Sequence, residues 1–446
     1  VARVVVVGGG LGGLAAAARL AKLGHDVSLY ESSPHLGGAV RDVTQDGFRW
    51  DAGPAAMTLP ATVRDLFRKS GRPLERVLDL TPVTSPRRHV FADGTVLDLP
   101  VASRAGQRQA LEEHLGPAAA ASWEATVDGL TQTWELLRTQ ALEVPFGGAR
   151  DLGIGGLRAL GLPRSLRSFG RARLSDPRAV QILEYAALPE GSDPARAPAF
   201  TAVAAYVERT FGLWSCPGGF AGLARALGTR LAERGVAVRL GAEVVEVTTE
   251  VDRVTGVRLA NGEEVAADVV VTDVDLRALT DTLLPRPPGP LRKQTRRIRL
   301  APAAFPVLLG LRDSGGDPMP AETVLHGSPG SGDPALVVRA PEDPSAAPAG
   351  HRAVTVSVRG DLGGRDPVEV LAGRGLDLRS RITVRVEGPA TSYGPRWRGA
   401  WRGLGVPTNR TAVRGLFVVG ATAHPGPGVP YVFLGAAAVA EQVGKA

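Results

Sequence analysis

The chain has 446 residues, too many for one ordinary hydrophobic core, so two domains are expected. Hydrophobic residues at 44% and charged residues at 22% exclude a disordered chain, and Cys216, the single cysteine, excludes an internal disulfide or a multi-cysteine metal site. A net charge of +7 would suit an anionic lipid surface or nucleic acid, but zinc-finger spacing, aromatic-laced basic strands and recognition-helix patterns are missing, so no nucleic acid is expected.

The opening run, VARVVVVGGG, goes straight into a strand, and no signal peptide is expected. With a lone cysteine, the expected compartment is the reducing cytoplasm, or the inner face of the cell membrane as a peripheral protein. No apolar run reaches the roughly 18 to 20 residues of a spanning helix.

The first 60 residues read as strand, helix, strand and a Gly/Pro-punctuated loop. Between about 100 and 205, helical spacing (Leu111, Leu115; Leu130, Trp134, Leu137) is broken by Gly and Pro. Phe220–Arg234 reads as a helix, followed by strands at Val236–Leu240, Val244–Thr249 and Val254–Leu259. Asn261-Gly262 is a hairpin signal before a strand at Glu264–Val271. Residues 280–350 are Pro/Gly-rich with apolar runs at Phe305–Leu311 and Ala335–Arg339. Leu416–Gly420 reads as a buried strand, and a last helix runs from Pro430.

Val4–Val7 is continuously apolar, as a parallel strand covered on both faces must be. It feeds Gly8-Gly9-Gly10-Leu11-Gly12-Gly13, a G-x-G-x-x-G loop. Gly8 allows the sharp turn, Gly10 the approach of a pyrophosphate, and Gly13 close packing of helix on strand. The helix that follows points its free N–H groups at the phosphates. Glu31 ends the second strand, where a carboxylate accepts from the adenosine ribose hydroxyls and repels a 2′-phosphate. Gly37-Gly38 and the run Gly47–Pro54 then let the backbone pass close to a long cofactor, so FAD is expected rather than NAD. Arg41 would pair with the pyrophosphate or stay solvated.

These residues resemble the flavoprotein superfamily of amine oxidases and carotenoid desaturases. The likeness is sharpest to the phytoene-desaturase type, at Gly47–Pro60 with its D-x-G-P, and at Gly415–Pro430, which is similar to the family's G-A-x-T-H-P-G-x-G-x-P. It covers most of the chain; the middle is similar mainly in layout. This chain departs from the family at Ala39, at Ala423 and Pro427, and at Ala321-Glu322-Thr323, where relatives carry paired histidines and this chain has a displaced His326.

The resemblance implies an α/β fold, with a discontinuous Rossmann-like FAD-binding domain (1–80, 205–275 and 395–446) and an inserted α+β substrate domain (81–204 and 276–394). It places backbone contacts to adenine at Val244, and Gly420, Ala421, Gly428, Val429 and Pro430 against the flavin ring. The expected cofactor set is therefore Gly8, Gly10, Gly12, Gly13, Glu31, Gly37, Gly38, Arg41, Gly53, Pro54, Val244 and that C-terminal motif. His424 is the candidate catalytic residue, with a structural hydrogen bond as the alternative. Cys216 reads as pocket lining, and Trp214, Tyr393, Trp397 and Trp401 as tunnel wall or ordinary core.

No second G-x-G-x-x-G follows a strand, so electrons are expected to enter from an organic substrate and leave to oxygen or a quinone. The implied activity is desaturation of a lipophilic isoprenoid such as phytoene or a related polyene, by hydride transfer to the flavin. The alternatives are oxidation of a smaller amine or ring-containing metabolite, and a flavin- or lipid-binding protein without turnover. Residues 150–178 interleave seven arginines, Arg150 to Arg178, with apolar side chains, which suits contact with an anionic membrane surface or a solvated basic face over a packed helix.

Overall fold

Along the strand Arg3–Val7, successive side chains point to opposite faces, and both faces are buried. Val4 and Val6 join one core, built with the helices Leu11–Lys22, Pro60–Ser70, Phe220–Glu233 and Val429–Val443. Val5 and Val7 join another, shared with a three-stranded antiparallel sheet of Val244–Glu250, Arg253–Leu259 and Glu264–Ala266. The strand is the centre of a five-stranded sheet, ordered Leu416–Val418, Val269–Thr272, Arg3–Val7, Asp26–Glu31 and Ala237–Leu240, all parallel. Three distant parts of the chain thus build one Rossmann-like layer. The computed structural model describes residues 1–188, 191–301, 305–313, 319–329, 334–390, 394–397, 399 and 406–446.

The single strand expected at Glu264–Val271 is two strands in different sheets. Glu264–Ala266 closes the antiparallel sheet, and the chain then crosses into Val269–Thr272 of the parallel one. A continuous apolar run does not reveal such a change of partner.

A seven-stranded sheet forms the second body. Its order is Ile382–Glu387, Val307–Arg312, His351–Arg359, Ala335–Arg339, Glu322–Leu325, Arg87–Val90 and Val96–Leu99, antiparallel except between Glu322–Leu325 and Arg87–Val90. The loop expected after Glu31 contains a hairpin, Asp42–Gln45 with Phe48–Asp51. Its Phe48 and Trp50 pack on this sheet, and the Trp50 indole donates to the Leu309 carbonyl at 3.1 Å. Gly310 faces the Phe48 ring, where a Cβ would come within 2.6 Å of it. Helices from Arg104 to Phe211 form a third layer around Trp123, Leu130, Leu166 and Leu183.

Candidate functional site

The glycine loop is held from both sides of the parallel sheet. The Gly9 N–H donates to the Glu31 carboxylate at 2.6 Å, and a second oxygen of Glu31 accepts from Ser33 at 2.8 Å. Gly37 and Gly38, both at positive φ, lie against the loop: Gly37 donates to the Gly9 carbonyl at 2.8 Å, and a Cβ on Gly38 would stand 3.1 Å from the Gly10 Cα. Gly53 is pressed on the Ala39 carbonyl, where a Cβ would be 2.7 Å away, beside a hydrogen bond from Ala52 to the Arg41 carbonyl. Val244 opens its strand next to Ala242, which donates to the Glu31 carbonyl at 2.9 Å. Arg41 is exposed and forms no ion pair among the described residues.

The C-terminal motif meets the same loop. Val419 donates to the Thr272 carbonyl at 2.9 Å, and a Cβ on Gly12 would lie 2.9 Å from the Gly420 nitrogen. Asn409 fixes the turn by donating to the carbonyls of Val418 (3.0 Å) and His424 (2.8 Å). Gly428 then starts the Val429–Val443 helix with no side-chain cap and with Pro430 in its first turn, so its first N–H groups remain available. The loop therefore gathers Gly8, Gly10, Gly12, Gly13, Gly420 and Ala421 at the C-terminal ends of parallel strands, where open α/β sheets bind ligands.

Asp273 is a member that the motifs did not reveal. It follows the strand Val269–Thr272, next to the first strand, and accepts from the Gly13 N–H at 2.9 Å. Its oxygens would lie 2.4 Å from a Cβ on Gly10 and 2.0 Å from one on Gly420. Burial pushes its carboxyl up to about 7, against the N–H groups of Gly13 and Gly12, and Glu31 adds to the rise. An acid at the end of the neighbouring parallel strand was the only available signal. The arrangement fits a dinucleotide: a cradle without Cβ atoms surrounds an oxygen that already accepts from a helix N-terminus.

His424 is half-buried, with one ring nitrogen 2.7 Å from the Ala141 carbonyl and its ring 4.6 Å from Phe146. Burial lowers its pKa, so it is neutral at pH 7 and donates to that carbonyl. Beside it Leu59, Trp134, Leu137, Phe146 and Val203 form a packed apolar core cluster, with Tyr431 of the last helix against it. Cys216 is buried; burial pushes its thiol up to about 12, with Asp51 adding to the rise, which leaves it unreactive. Trp214 packs against the nucleotide-side core and donates to Phe211, and Trp397 lies edge-on to Phe200 in the helical layer. Tyr393 and Trp401 lie outside the described residues.

The divergent segment around Glu322 is a buried charge cluster. Glu322 lies between Arg87 (2.6 Å) and Arg339 (2.9 Å), and Arg87 also meets Glu208 at 2.5 Å and stacks on Tyr185. Burial opposes the charge on Glu322, but Arg87 and Arg339 prevail and hold its carboxyl at about 2. The displaced His326 pairs with His89 at 2.9 Å, both rings buried. Near the glycine-side segment, Arg49 bridges Asp42, Asp51 and Asp343, and the Asp343 carboxylate accepts from Gly218. Asp51, pushed up to about 6 by burial, borders a small cavity with Gly53, Arg339, Thr355 and Ser357.

Part of the stretch 150–178 turns inward and part faces outward. Leu152, Leu160 and Leu166 are buried in core, and Arg167 and Arg178 are paired with Glu184 and Asp176, each at 2.7 Å. Ile154, 73% exposed, is its one large apolar side chain turned outward among the described residues. No helix among the described residues is long and apolar enough to cross a membrane.

A two-layer nucleotide domain with a glycine loop at its strand ends, carrying a large mixed sheet and a helical layer, defines an FAD-binding oxidoreductase. Residues 11–444 match the family of flavin containing amine oxidoreductases, and the chain belongs to that family. It is an FAD-dependent enzyme. It is 29% identical to a 4,4'-diapolycopene oxygenase from Methylomonas sp over 99% of this chain and 98% of that protein. A 4,4'-diaponeurosporene oxygenase from Staphylococcus aureus is 30% identical over 69% of this chain and 63% of its own length. Among solved structures, a putrescine oxidase superposes with a TM-score of 0.73 at 16% identity, covering 99% of this chain and 98% of its own. An oxidoreductase from Methanosarcina mazei superposes with a TM-score of 0.68 at 19% identity, covering 98% of this chain and all of its own.

Proposed function

We propose that this enzyme oxidises a lipophilic carotenoid-type polyene by desaturation. The observation that carries the carotenoid-type substrate is the end-to-end likeness to a 4,4'-diapolycopene oxygenase, over 99% of this chain and 98% of that protein, and desaturation is the two-electron reaction that flavin supports without a second substrate at the site. Bound FAD supplies a two-electron acceptor: a hydride leaves one substrate carbon, a proton leaves its neighbour, and the single bond between them becomes double.

In this reading Gly8, Gly10, Gly12 and Gly13 hold the pyrophosphate, and Arg41 pairs with it as a further cation. Glu31 takes the ribose, and Val244 meets the adenine through its backbone. Gly37, Gly38, Gly53 and Pro54 flank the cofactor along its length. Gly420, Ala421, Gly428, Val429 and Pro430 lie at the flavin ring, where the uncapped N-terminus of the last helix favours negative charge. His424 acts as a positioning residue, because its ring nitrogen is engaged by the Ala141 carbonyl. Glu322, held between two guanidinium groups, is not available to bind a cationic substrate. Electrons leave to oxygen or a quinone, and the substrate arrives from a lipid surface past Ile154 and the arginines around it.

The test is expression in a host that makes acyclic carotenoids, with mass spectrometry of its lipid extract. Loss of two hydrogens per turnover supports desaturation, and gain of oxygen instead supports an oxygenase. Anaerobic bleaching of the flavin by an amine but by no polyene would assign the chain to amine oxidation. Bleaching by neither class would leave a binding protein without turnover.

A further inference from the structure

The Asp273 carboxylate accepts from Gly13 at 2.9 Å and stands against Gly10, Gly12 and Gly420, so it fills the anion position of the glycine loop. The charged group that acts on it from a neighbouring element is Glu31, itself an acid; from the helix it meets only the N–H groups of Gly12 and Gly13. Among the described residues no basic side chain acts on it. Removal from water pushes the carboxyl up to about 7, so both protonation states are populated near neutrality. A pyrophosphate taking the same N–H groups brings a second anion to a site already occupied by one. Two anions in such contact repel strongly where water is excluded.

We propose that FAD binds this chain with the uptake of one proton, which leaves the Asp273 carboxyl neutral and able to donate its hydrogen to the phosphate that replaces it at the Gly12 and Gly13 N–H groups. The proton comes from solvent and no other bond changes. Asp273 then acts in two ways. Without cofactor it keeps the loop folded around an internal anion; with cofactor it serves as a hydrogen-bond donor. Flavin affinity is thereby linked to pH: constant on the acidic side of the free carboxyl's pKa, and falling up to about tenfold per pH unit on the alkaline side, where the proton must be drawn from solution.

The inference rests on placing FAD at the glycine loop, and the experiment separates the two claims. Holoenzyme is diluted at pH values from 5.5 to 9, and released FAD is measured by its fluorescence to give Kd. The expected result is a Kd about tenfold or more larger at pH 8.5 than at pH 6, with Asp273→Asn flat within about twofold across the range. Asp273→Ser, which also lacks the titrating group, serves as a second variant should the first fold poorly. Tight FAD with the same Kd at every pH, or a slope that both variants keep, overturns the role of Asp273. Gly10→Trp that binds FAD as wild type does would instead overturn the placement.

Discussion

Replacing Glu322 with Gln removes one charge from the middle of a cluster while keeping its shape. Its side chain is 16% exposed, and its two oxygens are committed to Arg87 and Arg339, whose side chains are 9% and 13% exposed. The carboxyl falls from 4.5 to about 2 on folding, a difference of roughly 3 kcal/mol in favour of the ionised native form. Breaking a buried pair by removing one partner costs a similar amount, about 3 to 5 kcal/mol. With modest screening at the exposed edge, Glu322→Gln is expected to cost about 2 to 3 kcal/mol at pH 7, lowering the unfolding midpoint by about 2 to 3 °C for a chain of this length. Because the native pKa is depressed, this contribution is complete above pH 4.5 and is lost as pH falls through 2. The gap between wild type and variant should therefore narrow by roughly 1 kcal/mol at pH 4. Urea denaturation of holoenzyme at both pH values, with flavin content matched, measures it. A loss below about 1 kcal/mol at pH 7 would refute the reasoning. An unchanged midpoint with a KM raised only for amines would show that Glu322 is a substrate ligand.

Gly10→Trp is expected to give folded, colourless protein, read from visible absorbance after purification, because a side chain there strikes Asp273 and the cofactor's path. His424→Ala is expected to slow flavin reduction by substrate in stopped flow without abolishing it, with FAD retained; complete loss would make His424 a catalytic base. Flotation with anionic vesicles should show binding that weakens with salt and with Ile154→Ser plus Arg164→Ser and Arg171→Ser, arginines with no ion pair among the described residues. No flotation at low salt by FAD-loaded protein would end the membrane reading.

The glycine loop, its helix and Glu31 were legible in the sequence because their geometry is local: residues a few positions apart dictate a turn, a helix start and a strand end. The C-terminal Gly420–Pro430 motif was legible through its resemblance to the family's pattern, and only the helix start at Pro430 through local geometry. Tertiary structure alone decided what depends on partners far along the chain. Asp273 reaches Gly13 across 260 positions, and no spacing rule connects them. Glu322 read as a departure from a familiar pattern until strand pairing set it beside Arg87, 235 residues away, and made it the centre of a buried ion cluster. The apolar residues of 150–178 fitted a core or a membrane equally well by sequence, and packing sent Leu152, Leu160 and Leu166 inward. Hydrophobic pattern specifies that a side chain leaves water, whereas the partner that receives it is fixed only when the sheets and helices are assembled.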